Sequence, residues 1–355
     1  IKRTPLSEFH EQARGGVGSK GANTRDKDFT EYIYPATMHQ TMLFFTKKGR
    51  CYWLKCYEIP EGDKTSKGRA IQNLLNIDAD DSVNAFLRVK GLNDVDFIKS
   101  HYIVFATKNG TVKKTSLEAY SRPRTNGVNA ITIAEGDEVV DVRLTNGKNL
   151  LIMANRNGRA VYFDENTVRT MGRTATGVRG MRLDGGDDAV VGMIVVNDPE
   201  TETVMVVSET GYGKRSFVAD YRKTNRGGKG VKTLNITDKT GKLVAIKNVT
   251  DDNDLMIINK SGIAIRLAVA NFRVMGRATQ GVRLINLSKK NDVIASVCKV
   301  KTSDKEAELN ENDEENPNNG MMPTDEHSVA NATNETQIEG NDASDGVEGE
   351  ADATE

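Results

Sequence analysis

Residues 104–116 read VFATKNGTVKKTS. An apolar run, three polar residues, a glycine and a second run of β-formers describe a strand, a tight turn and a returning strand. The same order occurs five times, as LFFTKKG (43–49), VFATKNG (104–110), IMANRNG (152–158), VVSETG (206–211) and IINKSG (257–262). The signature is Thr, Ser or Asn, two residues, then Gly. The glycines stand at 49, 110, 158, 211 and 262, in steps of 61, 48, 53 and 51. The returning strands are RCYWLK, TVKKTS, RAVYF, YGKRSF and IAIRLA. Near-constant spacing makes these one repeated unit, where an open β-sandwich of independent hairpins would not keep it.

A second signature follows each hairpin: a basic residue, a short gap, then Gly. It reads KTSKG (64–68), RTNG (124–127), RTATG (173–177), RGGKG (226–230) and RATQG (277–281). Val and a basic residue often come next, as in GVR (177–179), GVK (230–232) and GVR (281–283). A further strand and an acidic turn close the unit, as in GDEVV (136–140), DDAVV (187–191) and NDVIA (291–295). Four strands per forty to fifty residues is the arithmetic of a propeller blade. The start of the chain fits the same unit without a gap. IKRTPLSEFHEQARGGVG lies on YGKRSFVADYRKTNRGGKG, with Arg14-Gly15-Gly16 on Arg226-Gly227-Gly228. The expected fold is therefore all-β, a six-bladed propeller-like ring. Its repeats cover about 1–37, 38–98, 99–145, 146–198, 199–250 and 251–302, the first lacking its opening strand and turn.

Charge divides the chain. Of its 355 residues, 303–355 hold 17 Asp and Glu against Lys305 alone, a net of −16, while the remainder carries +15. A basic body fits a polyanionic partner. The last segment lacks apolar periodicity and is expected to be a disordered acidic tail. That tail could compete with a polyanionic partner for the basic body, or merely solubilise it. No run of eighteen apolar residues occurs, so no membrane span is expected. Cys51, Cys56 and Cys298 form no pair motif, and the four histidines are scattered, which argues against zinc and for a reducing cytosol. The opening residue, Ile1, is read as the start of a fragment. GGKGVKT (227–233) lacks the spacing of a phosphate loop, and DDND (251–254) lacks the Gly and Glu of a calcium loop. No catalytic constellation stands out.

The repeats together with QARGGVG (12–18) resemble the C-terminal domain of bacterial DNA gyrase A, over nearly all of 1–302. That family is a β-pinwheel whose neighbouring blades exchange strands. Its mark is the gyrase-A box, Gln-basic-Arg-Gly-Gly-basic-Gly. By this resemblance the box falls on Gln12, Arg14, Gly15, Gly16 and Gly18, with Ala13 and Val17 in place of two basic residues and Lys20 nearby. The resemblance implies wrapping of double-stranded DNA with a positive crossing. It implies an A2B2 holoenzyme, with the N-terminal region of gyrase A and with gyrase B as partners. Negative supercoiling with ATP and Mg would belong to that holoenzyme, with no cofactor or catalytic residue in this chain, and with a cytoplasmic, nucleoid-associated place. The alternatives are the corresponding domain of topoisomerase IV and a propeller scaffold that binds proteins.

Wrapping has its own physical demand. Bending a duplex over tens of base pairs stores on the order of several kcal/mol, and many phosphate contacts must offset it. Basic residues recur where a rim would supply them. After the turns stand Lys113, Lys114, Arg159, Lys214, Arg215 and Arg266. Around the Gly loops stand Lys67, Arg69, Arg124, Arg173, Arg179, Arg226, Lys229, Lys232, Arg277 and Arg283. Few aromatics accompany them, so contacts to phosphate are expected rather than base stacking.

Overall fold

The computed structural model describes residues 1–9, 19–20, 33–287 and 292–301. All of them fall in one compact unit, Ile1–Asn312. The box residues Gln12, Arg14, Gly15, Gly16 and Gly18 lie outside the described residues, as does the acidic segment 303–355.

Each hairpin forms where its signature stands, and the signature has a physical reason. In the turn after Tyr102–Thr107, the Gly110 N–H donates to the Thr107 carbonyl (3.0 Å), and the Thr107 hydroxyl accepts the Thr111 N–H at 3.1 Å. Asn155 accepts the Arg159 N–H at 2.8 Å, Ser208 the Tyr212 N–H at 3.2 Å and Asn259 the Ile263 N–H at 2.7 Å. The Thr, Ser or Asn is thus a buried acceptor for the first N–H of the returning strand. The glycine supplies the positive φ, +90° at Gly110 and +74° at Gly158.

Five four-stranded antiparallel sheets result among the described residues. Each has a hairpin at its centre, a long inner strand beside the first hairpin strand and a two-residue outer strand beside the second. The hairpins are Thr41–Thr46 with Arg50–Lys55, Tyr102–Thr107 with Thr111–Ser116, and Leu150–Asn155 with Arg159–Asp164. Thr203–Ser208 with Tyr212–Phe217 and Asn253–Asn259 with Ile263–Ala268 complete the set. The inner strands are Val83–Val89, Val139–Thr145, Val190–Val196, Leu243–Val249 and Ile294–Lys301. Every inner strand carries a register shift near the hairpin turn, for example between Ala106 and Thr107 on the partner strand. Successive inner strands also pack on one another, so they line the middle of the ring.

The outer strands belong to the following repeat. Val128–Asn129 pairs with Arg50–Lys55, Val178–Arg179 with Thr111–Ser116, and Val231–Lys232 with Arg159–Asp164. Val282–Arg283 pairs with Tyr212–Phe217. Ser19–Lys20 of the first repeat pairs with Ile263–Ala268 of the last, which carries the exchange back to the start of the chain. This exchange removes the exposed edge that a hairpin would otherwise present.

The sequence reading expected six blades, and the structure shows five sheets among the described residues. The first repeat supplies the outer strand Ser19–Lys20, the 3₁₀ turn Leu6–Glu8 and a bridge from Arg3 to Glu61. Its Leu6, Phe9 and Ile33 pack on Met256, Cys298 and Val300 of the last sheet.

The core lies between sheets rather than within a single layer. The first hairpin strands are buried on both faces, as in Leu151, Ile152, Met153 and Ala154, because each sheet is sandwiched by its neighbours. One cluster joins Phe45 and Leu87 of one sheet to Ile103, Phe105 and Val142 of the next. Phe45 meets Phe105 edge-on, with ring centroids 5.2 Å apart.

Candidate nucleic-acid interface

The Gly loops at 124–127, 173–177, 226–230 and 277–281 lie at the outer edge of the sheets, because each leads into an outer strand, while the loop at 64–68 leads into the 3₁₀ turn Ile71–Asn73 and packs on Ile1 of the first repeat. Their glycines stand directly over the preceding repeat. Gly281 has φ +81°, and a Cβ there would lie 2.5 Å from the Gly213 carbonyl oxygen. A side chain would both strain the backbone and force the loop off the sheet.

Successive loops are bonded to one another. The Gly227 N–H donates to the Gly180 carbonyl (2.6 Å) and the Arg182 N–H to the Gly228 carbonyl (2.9 Å). The Asn235 N–H donates to Thr279 (3.1 Å) and the Thr132 N–H to Ala175 (3.3 Å). Two arginines tighten the same joints. Arg226 donates from Nε to the Thr167 carbonyl (2.9 Å) and from Nη1 to the Arg179 carbonyl (3.0 Å). One repeat on, Arg277 donates to the Asp220 (2.9 Å) and Lys232 (2.8 Å) carbonyls. Each arginine fastens its Gly loop to the preceding repeat's 3₁₀ turn and outer-strand backbone.

From this band the remaining cations project. Lys67, Arg69, Arg124, Arg179, Lys229, Lys232 and Arg283 are exposed, and Arg159, Arg173, Arg226 and Arg277 are partly buried. Lys20 lies in an outer strand by its backbone. Lys229 meets Asp184 at 2.5 Å, and Arg159 stands 4.0 Å from the same carboxylate. The hydrogen bond from Lys229 holds the Asp184 carboxyl below its ordinary range. This pairing is solvent-exposed and of little strength, so a phosphate can replace it. Arg283 lies over the Tyr212 ring, 5.6 Å from its centroid. Arg182 was missed by the sequence reading. It is exposed in the same band, past the strand Val178–Arg179, where the GVR signature has already ended.

Five of the expected contact residues are elsewhere. Lys113, Lys114, Lys214, Arg215 and Arg266 are buried, and DNA cannot reach them there. The sequence reading took the returning strand for a rim. It is covered instead by the outer strand and loop of the next repeat. These cations join one repeat to the next. Lys113 Nζ donates to the Ala130 and Arg173 carbonyls, both at 2.5 Å. Lys214 Nζ donates to Ser216 Oγ (2.8 Å) and the Gly276 carbonyl (3.0 Å). Both lysines thus grip the next Gly loop from below. Lys114 pairs with buried Glu165 at 2.8 Å. Arg215 donates to the Val269 carbonyl (3.1 Å) and meets Asp251 at 2.6 Å. Arg266 meets Asp254 at 2.6 Å and donates to the Phe9 carbonyl (3.1 Å). Burial pushes the Lys113 ammonium down to about 7, with repulsion from Arg173 added, and Lys214 to about 8 against the attraction of Asp220.

Cys51, Cys56 and Cys298 are free thiols in the interior. Among the described residues no group of three or more His, Cys, Asp and Glu side chains converges as a metal site would require. No helix among them is long and apolar enough to cross a membrane.

A ring of four-stranded sheets with exchanged outer strands and a band of cations on bonded loops defines the class: a propeller-like repeat domain of the pinwheel type. The family model for the DNA gyrase C-terminal domain, a β-propeller, matches residues 1–36, 40–90, 101–146, 149–197, 202–250 and 253–299. The chain belongs to that family. It is 44% identical over 314 residues to the DNA gyrase A protein of Staphylococcus aureus, a match covering 88% of this chain and 35% of that protein. The chain therefore spans about a third of the length of the curated relatives it matches. A solved DNA gyrase A C-terminal domain superposes with a TM-score of 0.75 at 24% identity, covering 84% of this chain and 95% of that one, which shows the fold. The C-terminal domain of DNA topoisomerase IV gives 0.67 at 25% identity, over 85% and 97% of the two chains.

Proposed function

We propose that this chain is the DNA-wrapping domain of a gyrase A protein. It bends duplex DNA along the outer band of Gly loops. The observation that carries the reading is the recurrence of exposed cations on loops bonded edge to edge. Arg179, Lys232 and Arg283 occupy the same place in three successive outer strands. A cation at the same place in three successive repeats, with Asn129 there in the repeat before them, suits a backbone that must be held at several points while it bends. Loop-to-loop hydrogen bonds fix the spacing before DNA arrives, so little ordering is required on binding. The contacts are to phosphate, and sequence enters through the ease of bending.

In this reading the chain itself performs no covalent chemistry. It belongs to a type IIA topoisomerase assembled as A2B2, in which gyrase B hydrolyses ATP with Mg and the breakage of DNA occurs in the N-terminal part of gyrase A. The domain wraps DNA with a positive crossing and presents a second segment for strand passage, so that the intact enzyme introduces negative supercoils. The resemblance to gyrase A, at 44% identity, favours this over the topoisomerase IV reading.

The test is duplex affinity across a salt series. The triple variant Arg179→Ala/Lys232→Ala/Arg283→Ala is expected to bind at least tenfold more weakly at 0.1 M salt. Its slope of log K against log salt should be shallower by about 2–3. An unchanged slope would place the phosphate contacts elsewhere.

A further inference from the structure

The middle of the ring holds a second group of cations, apart from the band of loops. Arg88, Arg143, Lys247 and Lys299 all lie on inner strands, at one of two adjacent register positions. Arg88 stands opposite Met42 and Lys299 opposite Leu255, while Arg143 and Lys247 stand opposite Val104 and Met205. Arg88 is exposed and also donates to the Pro35 carbonyl (3.4 Å), and Arg143 and Lys247 come from inner strands that each pack on Val190–Val196. Lys247 feels Arg143, Asp141, Cys298 and Lys299, and Lys299 feels Glu202, Arg143 and Arg88. Arg143 acts on Lys299 although the two lie on non-adjacent inner strands.

Two carboxylates face the group, and both are engaged. Asp141 Oδ2 accepts from Arg143 Nη2 and from the Met193 N–H, each at 2.9 Å. Glu202 accepts from the Asn248 amide (2.9 Å) and the Asn197 N–H (3.0 Å). Four cations against two carboxylates leave two positive charges over. Lys247 and Lys299 are partly buried, and each ammonium reaches solvent without a hydrogen-bond partner among the described residues. Burial first, then repulsion from Arg143, brings Lys247 down to about 8, and burial lowers Lys299 as well. An anion that accepts from both ammonium groups would offset the repulsion within the group. The lysines that grip the Gly loops, Lys113 and Lys214, have carbonyl partners within the fold. The inner lysines lack them.

We infer that the inner strands form an anion site, in which Lys247 and Lys299, with Arg143 and Arg88, receive a small phosphate-type oxyanion. A compact anion with oxygens in several directions can accept from both ammonium groups at once. The inference does not depend on DNA wrapping, since these residues lie on the inner strands and not on the outer loops.

The test uses the whole chain with inorganic phosphate as the probe, followed by calorimetric titration and by the shift of the melting temperature. The expected result is saturable binding of one phosphate per chain that raises the melting temperature. Lys247→Met/Lys299→Met should weaken it at least tenfold and abolish the thermal shift, with an unchanged circular dichroism spectrum. Arg179→Ala/Arg283→Ala, on the outer strands, should retain it. The single Lys247→Arg, which keeps the charge, should also retain it. Phosphate binding that survives in the inner double variant, or that is lost only in the outer one, would overturn the inference. So would the absence of saturable binding at millimolar phosphate. Duplex DNA affinity should be unchanged in the inner double variant, which separates failure here from failure of the wrapping proposal.

Discussion

Lys113 and Lys114 are neighbours in sequence and do different work in the fold. Lys114 is buried against Glu165, which also accepts from Thr145 Oγ1 (2.8 Å) and the Asn149 N–H (2.7 Å). Removing one member of such a pair leaves the other charged and buried. Lys114→Met is expected to cost about 3–5 kcal/mol in denaturant unfolding. The double variant Lys114→Met/Glu165→Leu should recover much of that loss. Lys113 is held at about 7 by burial, well below its value in the unfolded chain. Below pH 7 both states bind the proton, and the desolvation cost is present in full. Between pH 7 and about 10.5 only the unfolded chain holds it, so Lys113's contribution becomes more favourable as pH rises. The stability of the wild type relative to Lys113→Met should therefore climb by roughly 2–4 kcal/mol across that window. A flat difference, measured by urea unfolding at each pH, would mean that Lys113 keeps an ordinary lysine's affinity for its proton.

At the scale of the element, the hairpin turn was open to reading from sequence and the outer strand less so. Thr107, Asn155, Ser208 and Asn259 announce their role by position, because the acceptor, the glycine and the returning N–H all fall within five residues. The Gly-loop glycines were equally legible, since positive φ at Gly177, Gly230 and Gly281 is a local demand. The fate of the returning strand was not local. Lys214 and Arg215 look like rim charges until Val282 and Arg283, some seventy residues later, are laid against Tyr212 and Gly213. The inner-strand cations were missed for the same reason: Arg143 and Lys247 are ordinary strand residues until the ring brings them together. Gly281→Ala tests how closely the exchanged elements fit. Positive φ and the close approach to the Gly213 carbonyl together should cost about 2–4 kcal/mol. Loss of protection should centre on Tyr212–Phe217 and Val282–Arg283 in hydrogen exchange. Uniform protection would show that the loop can lift without disturbing the pairing.

For the whole molecule, the exchange of outer strands makes the ring cooperative. Each sheet is completed by the next repeat, and Ser19–Lys20 completes the last sheet from the first repeat. The same linkage sets the spacing of exposed cations along the loops, so the fold and the proposed DNA path have one origin. The six-part repeat was legible as spacing, whereas the number of sheets among the described residues, five, depends on what the first repeat contributes. The most direct test is topological. The chain is bound to relaxed circular DNA, a relaxing topoisomerase is added, and the linking number is read after the protein is removed. Wrapping with a positive crossing predicts circles whose linking number has risen in proportion to the chain bound, with a smaller rise for Arg179→Ala/Lys232→Ala/Arg283→Ala. Saturating binding with no change in linking number would contradict it.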